Sequence, residues 1–155
     1  MSHLQYFSYK GVGERNLRGH GYQQAVRVGD RIEASGQGNM SIEPLLCRDD
    51  KYSFVSTGGW HPETGAYSDS VKDQIEQAFA NVDLCLKDAG GKGWSQVYRV
   101  NSYHPILDDD VLKIMADNFK KWMPDHSPIW TCVGVMKLAE DKMKVEIEVV
   151  AHDPK

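Results

Sequence analysis

The run Lys144-Val145-Glu146-Ile147-Glu148-Val149-Val150-Ala151 constrains this chain more than any other. Val145, Ile147 and Val149 alternate with Glu146 and Glu148, a period of two that an extended strand satisfies. Two carboxylates therefore project from one face and aliphatic side chains from the other. Were the carboxylate face the core, each unpartnered charge would cost several kcal/mol to desolvate. That face is either open to solvent or part of a site between subunits. In a cleft, such a carboxylate would act as a general base or orient a water molecule. A second extended run, Pro128-Ile129-Trp130-Thr131-Cys132-Val133-Gly134-Val135, precedes it. The two are read as terminal strands lying side by side, one offering a thiol and the other two carboxylates.

Upstream, Tyr22 to Val28 reads as a strand, Gly29-Asp30 as a hairpin turn and Arg31 to Ser35 as the returning strand. Ser70 then opens a Ser-x-x-Asp capping box with Asp73. Val71, Ile75, Phe79, Val82 and Leu86 follow at helical spacing, with Ala78 and Ala89 extending the stripe and Gly90-Gly91 ending it. This is a core-packing face. Val97 to Tyr103 forms a further strand. Asp108-Asp109-Asp110 starts a second helix, where carboxylates favour the positive end of the dipole. Its apolar stripe is Leu112, Met115, Phe119 and Trp122, and Pro124 stops it. The order strand, strand, helix, strand, helix, strand, strand predicts an α+β domain, a mixed sheet with two helices on one face. The bare face of such a two-layer domain calls for another subunit.

At 155 residues the chain is expected to be one domain, 1–155. Its net charge of −4 and lack of a basic stripe argue against nucleic acid as a partner. Lys120-Lys121 belongs to a solvated helix face. No apolar run reaches the ~18 residues of a membrane span, and the amino terminus lacks a secretory or strong transit pattern. Cys47, Cys85 and Cys132 are odd in number and widely spaced, which argues against disulfides and structural zinc. A reducing cytoplasmic setting fits, with mitochondria as the alternative. The six histidines show no ligand spacing, so no metal is expected. Gly11-Val12-Gly13 and Gly36-Gln37-Gly38 lack the context of a phosphate loop and are read as turns. Cys132 is either an inert, buried thiol or, beside a cation or helix terminus, a reactive one.

Ala34-Ser35-Gly36-Gln37, the Asp73 to Gly91 helix with Asn81-Val82, and the Cys132…Glu146-Ile147-Glu148 ending resemble the RidA/YjgF family over about residues 20–151. These are reactive-intermediate deaminases, also labelled translation inhibitors or L-PSP endoribonucleases. Trp122-Met123-Pro124-Asp125-His126 is similar to a fungal subgroup. The resemblance implies a chorismate-mutase-like fold, a homotrimer whose sheets form a central barrel, and small-molecule sites at the subunit interfaces. It also implies cofactor-free hydrolysis of enamines and imines, such as 2-aminoacrylate, to keto acids and ammonia. Position by position, Tyr22 would line the pocket and Ser35 would open its Ser-Gly-Gln loop. Cys132 would offer its backbone amide to the substrate, and Glu146 would position water.

Two departures stand out. Trp130 occupies the place of the arginine that clamps the substrate carboxylate. Replacing a bidentate, charge-assisted contact by one neutral donor costs roughly 2–5 kcal/mol of binding. The indole would either plug the pocket or stack on a flat or cationic ligand; Arg27 and Arg99 are the available substitute cations. Residues 39–58 also separate Gly38 from the family-like Gly59-Trp60-His61-Pro62-Glu63-Thr64-Gly65 as an insertion without clean periodicity. The insertion is either a retained intron or a functional lid beside the Ser35 loop. Three functions follow: a hydrolase resembling 2-iminobutanoate/2-iminopropanoate deaminases with altered or lost 2-imino-acid activity, a non-catalytic small-metabolite-binding trimer, and an endoribonuclease. The acidic charge counts against the last.

Overall fold

The protein is seen in a computed structural model that describes residues 3–38, 61–64 and 66–154. The expected insertion at 39–58, Cys47, and Gly59, Trp60 and Gly65 of the motif that follows lie outside the described residues.

The elements run β1 (Gln5–Phe7), α1 (Val12–His20), β2 (Ala25–Val28), β3 (Arg31–Gly38), α2 (Val71–Asp88), a 3₁₀ turn (Gly93–Gln96), β4 (Val97–His104), α3 (Asp109–Trp122), β5 (Ile129–Gly134) and β6 (Glu146–His152). From β2 onward this is the expected α+β order. β1 and α1 precede it and were not anticipated. Gly11-Val12-Gly13 is thus not a turn: Gly11, at φ 94°, caps α1, and Val12 is buried. Gly36-Gln37-Gly38 likewise belongs to the end of β3.

Local chemistry explains the helix ends. Ser70 Oγ accepts the Asp73 N–H at 3.3 Å. Asp73 returns the contact through Ser68, whose hydroxyl donates to Asp73 at 2.8 Å and accepts the Ser70 N–H at 3.1 Å. Asp108 caps α3 by accepting the Val111 N–H at 2.9 Å. Along α3 the buried row is Val111, Met115 and Asn118, while Leu112 is exposed. The expected stripe was therefore displaced by one position at its start, because Val111 and Leu112 both keep helical spacing with Met115.

The sheet order is β1-β2-β3-β6-β4-β5, with β4 and β5 parallel and every other pair antiparallel. The terminal strands are consequently not neighbours: β4 separates β5 from β6. Parallel strands need a crossover, and α3 supplies it, carrying β5 to the outer edge beside β4. β6 then returns antiparallel into the slot between β3 and β4. The connection is anchored by buried Met143 and by Gln74 of α2, whose amide donates to Lys142 O at 3.0 Å and accepts the Lys144 N–H at 2.9 Å.

α2 and α3 cover one face of the sheet. Val145, Ile147, Val149 and Ala151 are buried under them, with Ile32, Val97 and Val100. An aromatic chain crosses this layer. Trp94 stacks on Phe79 at 4.5 Å and donates its N–H to Phe79 O at 2.8 Å. Phe79 meets Phe119 edge-on at 5.4 Å, and Phe119 meets Trp130 at 5.0 Å. Phe79→Ala would empty the middle of this chain. It is expected to lower unfolding free energy by about 3–5 kcal/mol, measured by urea denaturation.

Candidate functional site

Among the described residues, no helix covers the opposite face. Register assigns its side chains: Glu33 of β3 pairs with Val150, Glu148 with Asn101 and Glu146 with Tyr103, all on the side away from the helices. The flanking Ser102, His104 and Ile147 point into the core and are fully buried. The alternation Glu146/Ile147/Glu148 thus resolves as half-buried carboxylates on the open face and aliphatic groups within.

β3 is irregular between Ala34 and Gln37, where its pairing with β6 shifts. Ser35 sits in that irregularity, its N–H and hydroxyl both donating to Gln24 O, at 2.9 and 3.2 Å. Gly36 lies against Glu146, and an added Cβ there would fall 2.7 Å from Glu146 Cγ and Cδ. A glycine is therefore required for the carboxylate to lie over this loop. Confined there, the Glu146 carboxyl is pushed up to about 7, first by burial and then by the charge of Glu148. Glu148 accepts the Tyr103 hydroxyl at 3.3 Å. Beside this pair lies a cavity of about 470 Å³ lined by Tyr6, Tyr22, Glu33, Ser35 and Glu148 among others.

Tyr22, Ser35 and Glu146 thus gather on one side of the sheet, with Glu148, which the sequence paired with Glu146. Trp130 and Cys132 stand elsewhere. They align with Val100 and Ser102 in the parallel β4–β5 ladder, which turns both toward the helix layer. Trp130 packs on Phe119, and its indole N–H donates to Ser102 Oγ at 2.9 Å. Ser102 in turn shares a hydrogen bond with His104 Nε2 at 3.0 Å. Burial pulls His104 down to about 4, so it is neutral at physiological pH. Cys132 is half-buried and, like Cys85, free.

Of the substitute cations, Arg27 is committed. Its Nε donates to Ala89 O at 2.9 Å, and its guanidinium pairs with Asp153 on the helix side. Arg99 is exposed on the open face but does not line the cavity. Among the described residues, no three His, Cys, Asp or Glu side chains converge to hold a metal ion. No described helix is long and apolar enough to cross a membrane. Sequence reasoning did not single out Gln74, Ser102 or His104. The last two were signalled only by their even spacing from Val100 on β4.

Residues 16–153 match the model of the family described as endoribonuclease L-PSP. The chain belongs to the YjgF/RidA family. Among curated relatives, a RutC family protein of Aquifex aeolicus (strain VF5) is 36% identical over 95 residues, covering 60% of this chain and 73% of that protein. A protein of Dermatophagoides farinae named 2-iminobutanoate/2-iminopropanoate deaminase is 27% identical over 129 residues, 83% of each chain. The crystal structure of yeast Mmf1 superposes with a TM-score of 0.70 at 21% identity, covering 97% of this chain and 98% of that one. The fold is therefore shared with that structure over 97% of the chain.

The raised Glu146 acidity sets a pH dependence of stability. Between the ordinary carboxyl value of 4.5 and about 7 the folded chain binds more protons than the unfolded one, so stability falls as pH rises through that window. Glu146→Gln carries no charge to desolvate. It is expected to stabilise the fold at pH 8, by on the order of 3 kcal/mol at most, and to lose that advantage below about pH 4.5, as followed by thermal unfolding across pH.

Proposed function

We propose that the protein hydrolyses small enamines and imines to carbonyl compounds and ammonia, without a cofactor, in a reducing cytoplasmic compartment. The observation that carries this reading is Glu146: a half-buried carboxyl held over Gly36 beside Glu148 and pushed up to about 7. A group tuned to that range alternates between accepting and donating a proton at physiological pH. Glu146 takes a proton from water as the water oxygen bonds to the iminium carbon, giving a neutral carbinolamine. It returns that proton to the nitrogen, the C–N bond breaks, and ammonia leaves with the proton of the new hydroxyl as the carbonyl forms. The name of the Dermatophagoides relative agrees with this chemistry.

Trp130 modifies the reading. No arginine stands at its position, and the indole is turned away and tied to Ser102, so 2-imino acids have weakened binding. The same observation favours a second reading, a non-catalytic metabolite-binding protein on this scaffold. RNA cleavage is disfavoured because Glu33, Glu146 and Glu148 face outward where phosphates would have to lie.

Ammonia release from freshly generated 2-aminoacrylate separates the readings. Activity in the wild type that rises with pH through about 7 and is lost in Glu146→Gln supports the hydrolase. Silence in the wild type and in Glu146→Gln alike would leave the binding protein.

The exposed apolar side chains of the open face support an assembly of several copies. Ile129 and Val133 of β5 are 60% and 39% exposed there, and Tyr6 of β1 is 47% exposed. We take this face to be covered by two further copies in a homotrimer, bringing edge strands of one copy toward the carboxylates of the next. Light scattering should give three times the 17.5 kDa chain mass, and a monomer at micromolar concentration would refute the arrangement.

A further inference from the structure

His104 stands where two strands meet the connection between them. It ends β4 opposite Gly134, and its carbonyl accepts the Val135 N–H at 2.9 Å as the chain leaves β5. Its neighbour Tyr103 pairs with Glu146, where the chain enters β6. The His104 ring is fully buried, and Trp130 and Ser102 fix where its proton lies. An indole N–H can only donate, so Ser102 Oγ is the acceptor of the 2.9 Å bond from Trp130. Ser102 is itself fully buried and has no other acceptor among the described residues, so its hydroxyl hydrogen goes to His104 Nε2 at 3.0 Å. Burial keeps the imidazole neutral, and its one proton is left on Nδ1. The backbone of Lys144 is the acceptor that favours a proton on the ring. That contact is a loose one, since Nδ1 has no partner within ordinary hydrogen-bond geometry.

Lys144 is held from the helix layer as well. Gln74 Oε1 accepts its N–H at 2.9 Å, and the same side-chain amide donates to Lys142 O at 3.0 Å. Val145, fully buried, follows, and then Glu146. The peptides of Lys144 are thus gripped from α2 and from β4 just before the chain lays its carboxyl over Gly36. We propose that His104 is a positioning residue for Glu146: with its proton set on Nδ1 by Trp130 and Ser102, it holds the Lys144 carbonyl and so fixes the point at which Glu146 enters β6. The proposal rests on the reading of Glu146 as the group that moves the proton, and adds the residue that places it. Glu148 on β6 and the Tyr103 phenol on β4 are the titratable groups that bear on Glu146. Trp130, Ser102 and the neutral His104 bring no charge to it, so they act through geometry.

Nitrogen NMR of the imidazole reads the tautomer in the wild-type protein, and carbon NMR of the carboxyl reads Glu146 across pH. At neutral pH His104 should show a protonated Nδ1 and an unprotonated, hydrogen-bonded Nε2. In His104→Leu the Glu146 midpoint should fall from about 7 by roughly one unit, a tenfold change in its acid constant, as the carboxyl loosens toward water. His104→Asn, which keeps a donor at the place of Nδ1, should restore most of that shift. A wild-type ring protonated on Nε2 would overturn the proposal, even if neither variant folds. So would an unmoved Glu146 midpoint in a folded His104→Leu protein, however far its melting temperature dropped, because packing alone would then account for the residue. Two further outcomes part the proposal from the hydrolase reading. A midpoint that moves while no imine yields ammonia would keep the positioning and remove the catalysis. Ammonia release from 2-aminoacrylate at equal kcat in the wild type and His104→Leu would keep the catalysis and overturn the positioning.

Discussion

β6 is the strand on which everything else depends. Its odd-numbered side chains, from Ile147 to Ala151, are completely or almost completely buried beneath the helices, and it pairs along both edges. A register slip of one residue would drive Glu146 and Glu148 into the core, at a desolvation cost far above that of any neighbouring choice. The carboxylates are therefore placed by the burial of Ile147 and Val149 rather than by contacts of their own. Gln74 fixes where the strand begins, because its amide holds the Lys142 carbonyl and the Lys144 N–H together. Gly36 then leaves the space that Glu146 fills.

Trp130 shows how much of a site depends on which face a residue takes. Its indole joins the aromatic chain through Phe119, Phe79 and Trp94, and its N–H satisfies Ser102. Those contacts give the side chain a role in packing that a guanidinium at this position would not reproduce, since its charge would have to be desolvated against Phe119. The tryptophan thus extends the core and offers no cation at this position. It also ties the edge strand β5 to α3.

Much of this was legible in the chain itself. The Ser70 cap, the Ile75–Leu86 stripe and the alternation of β6 are local signals, and local periodicity survives folding. The adjacency of strands is a different matter. β5 and β6 are consecutive in sequence, and nothing in either run says that β4 stands between them. That follows from the handedness and length of a crossover, a property of three elements together. β1 and α1 escaped for a simpler reason. A three-residue strand and a helix holding Gly13 and Gly19 carry little propensity of their own; burial of Tyr9, Val12 and Asn16 secures them. Within the site, the residue types were readable, but which of Glu146 and Glu148 would face the Tyr22–Ser35 cavity was not. The irregularity of β3 decides it, giving the cavity to Glu148 and the glycine to Glu146.

The two carboxylates then divide the work through their surroundings. Glu148 shares the cavity wall with Glu33 and holds the Tyr103 hydroxyl, and that phenol is itself pushed up, mainly by burial and then by the charge it binds, so it stays a donor. Glu146 carries the larger desolvation and feels Glu148 as a like charge. Burial, the larger cause, and the Glu148 charge, the smaller, together leave the Glu146 carboxyl near 7, so that both of its protonation states are populated around neutral pH.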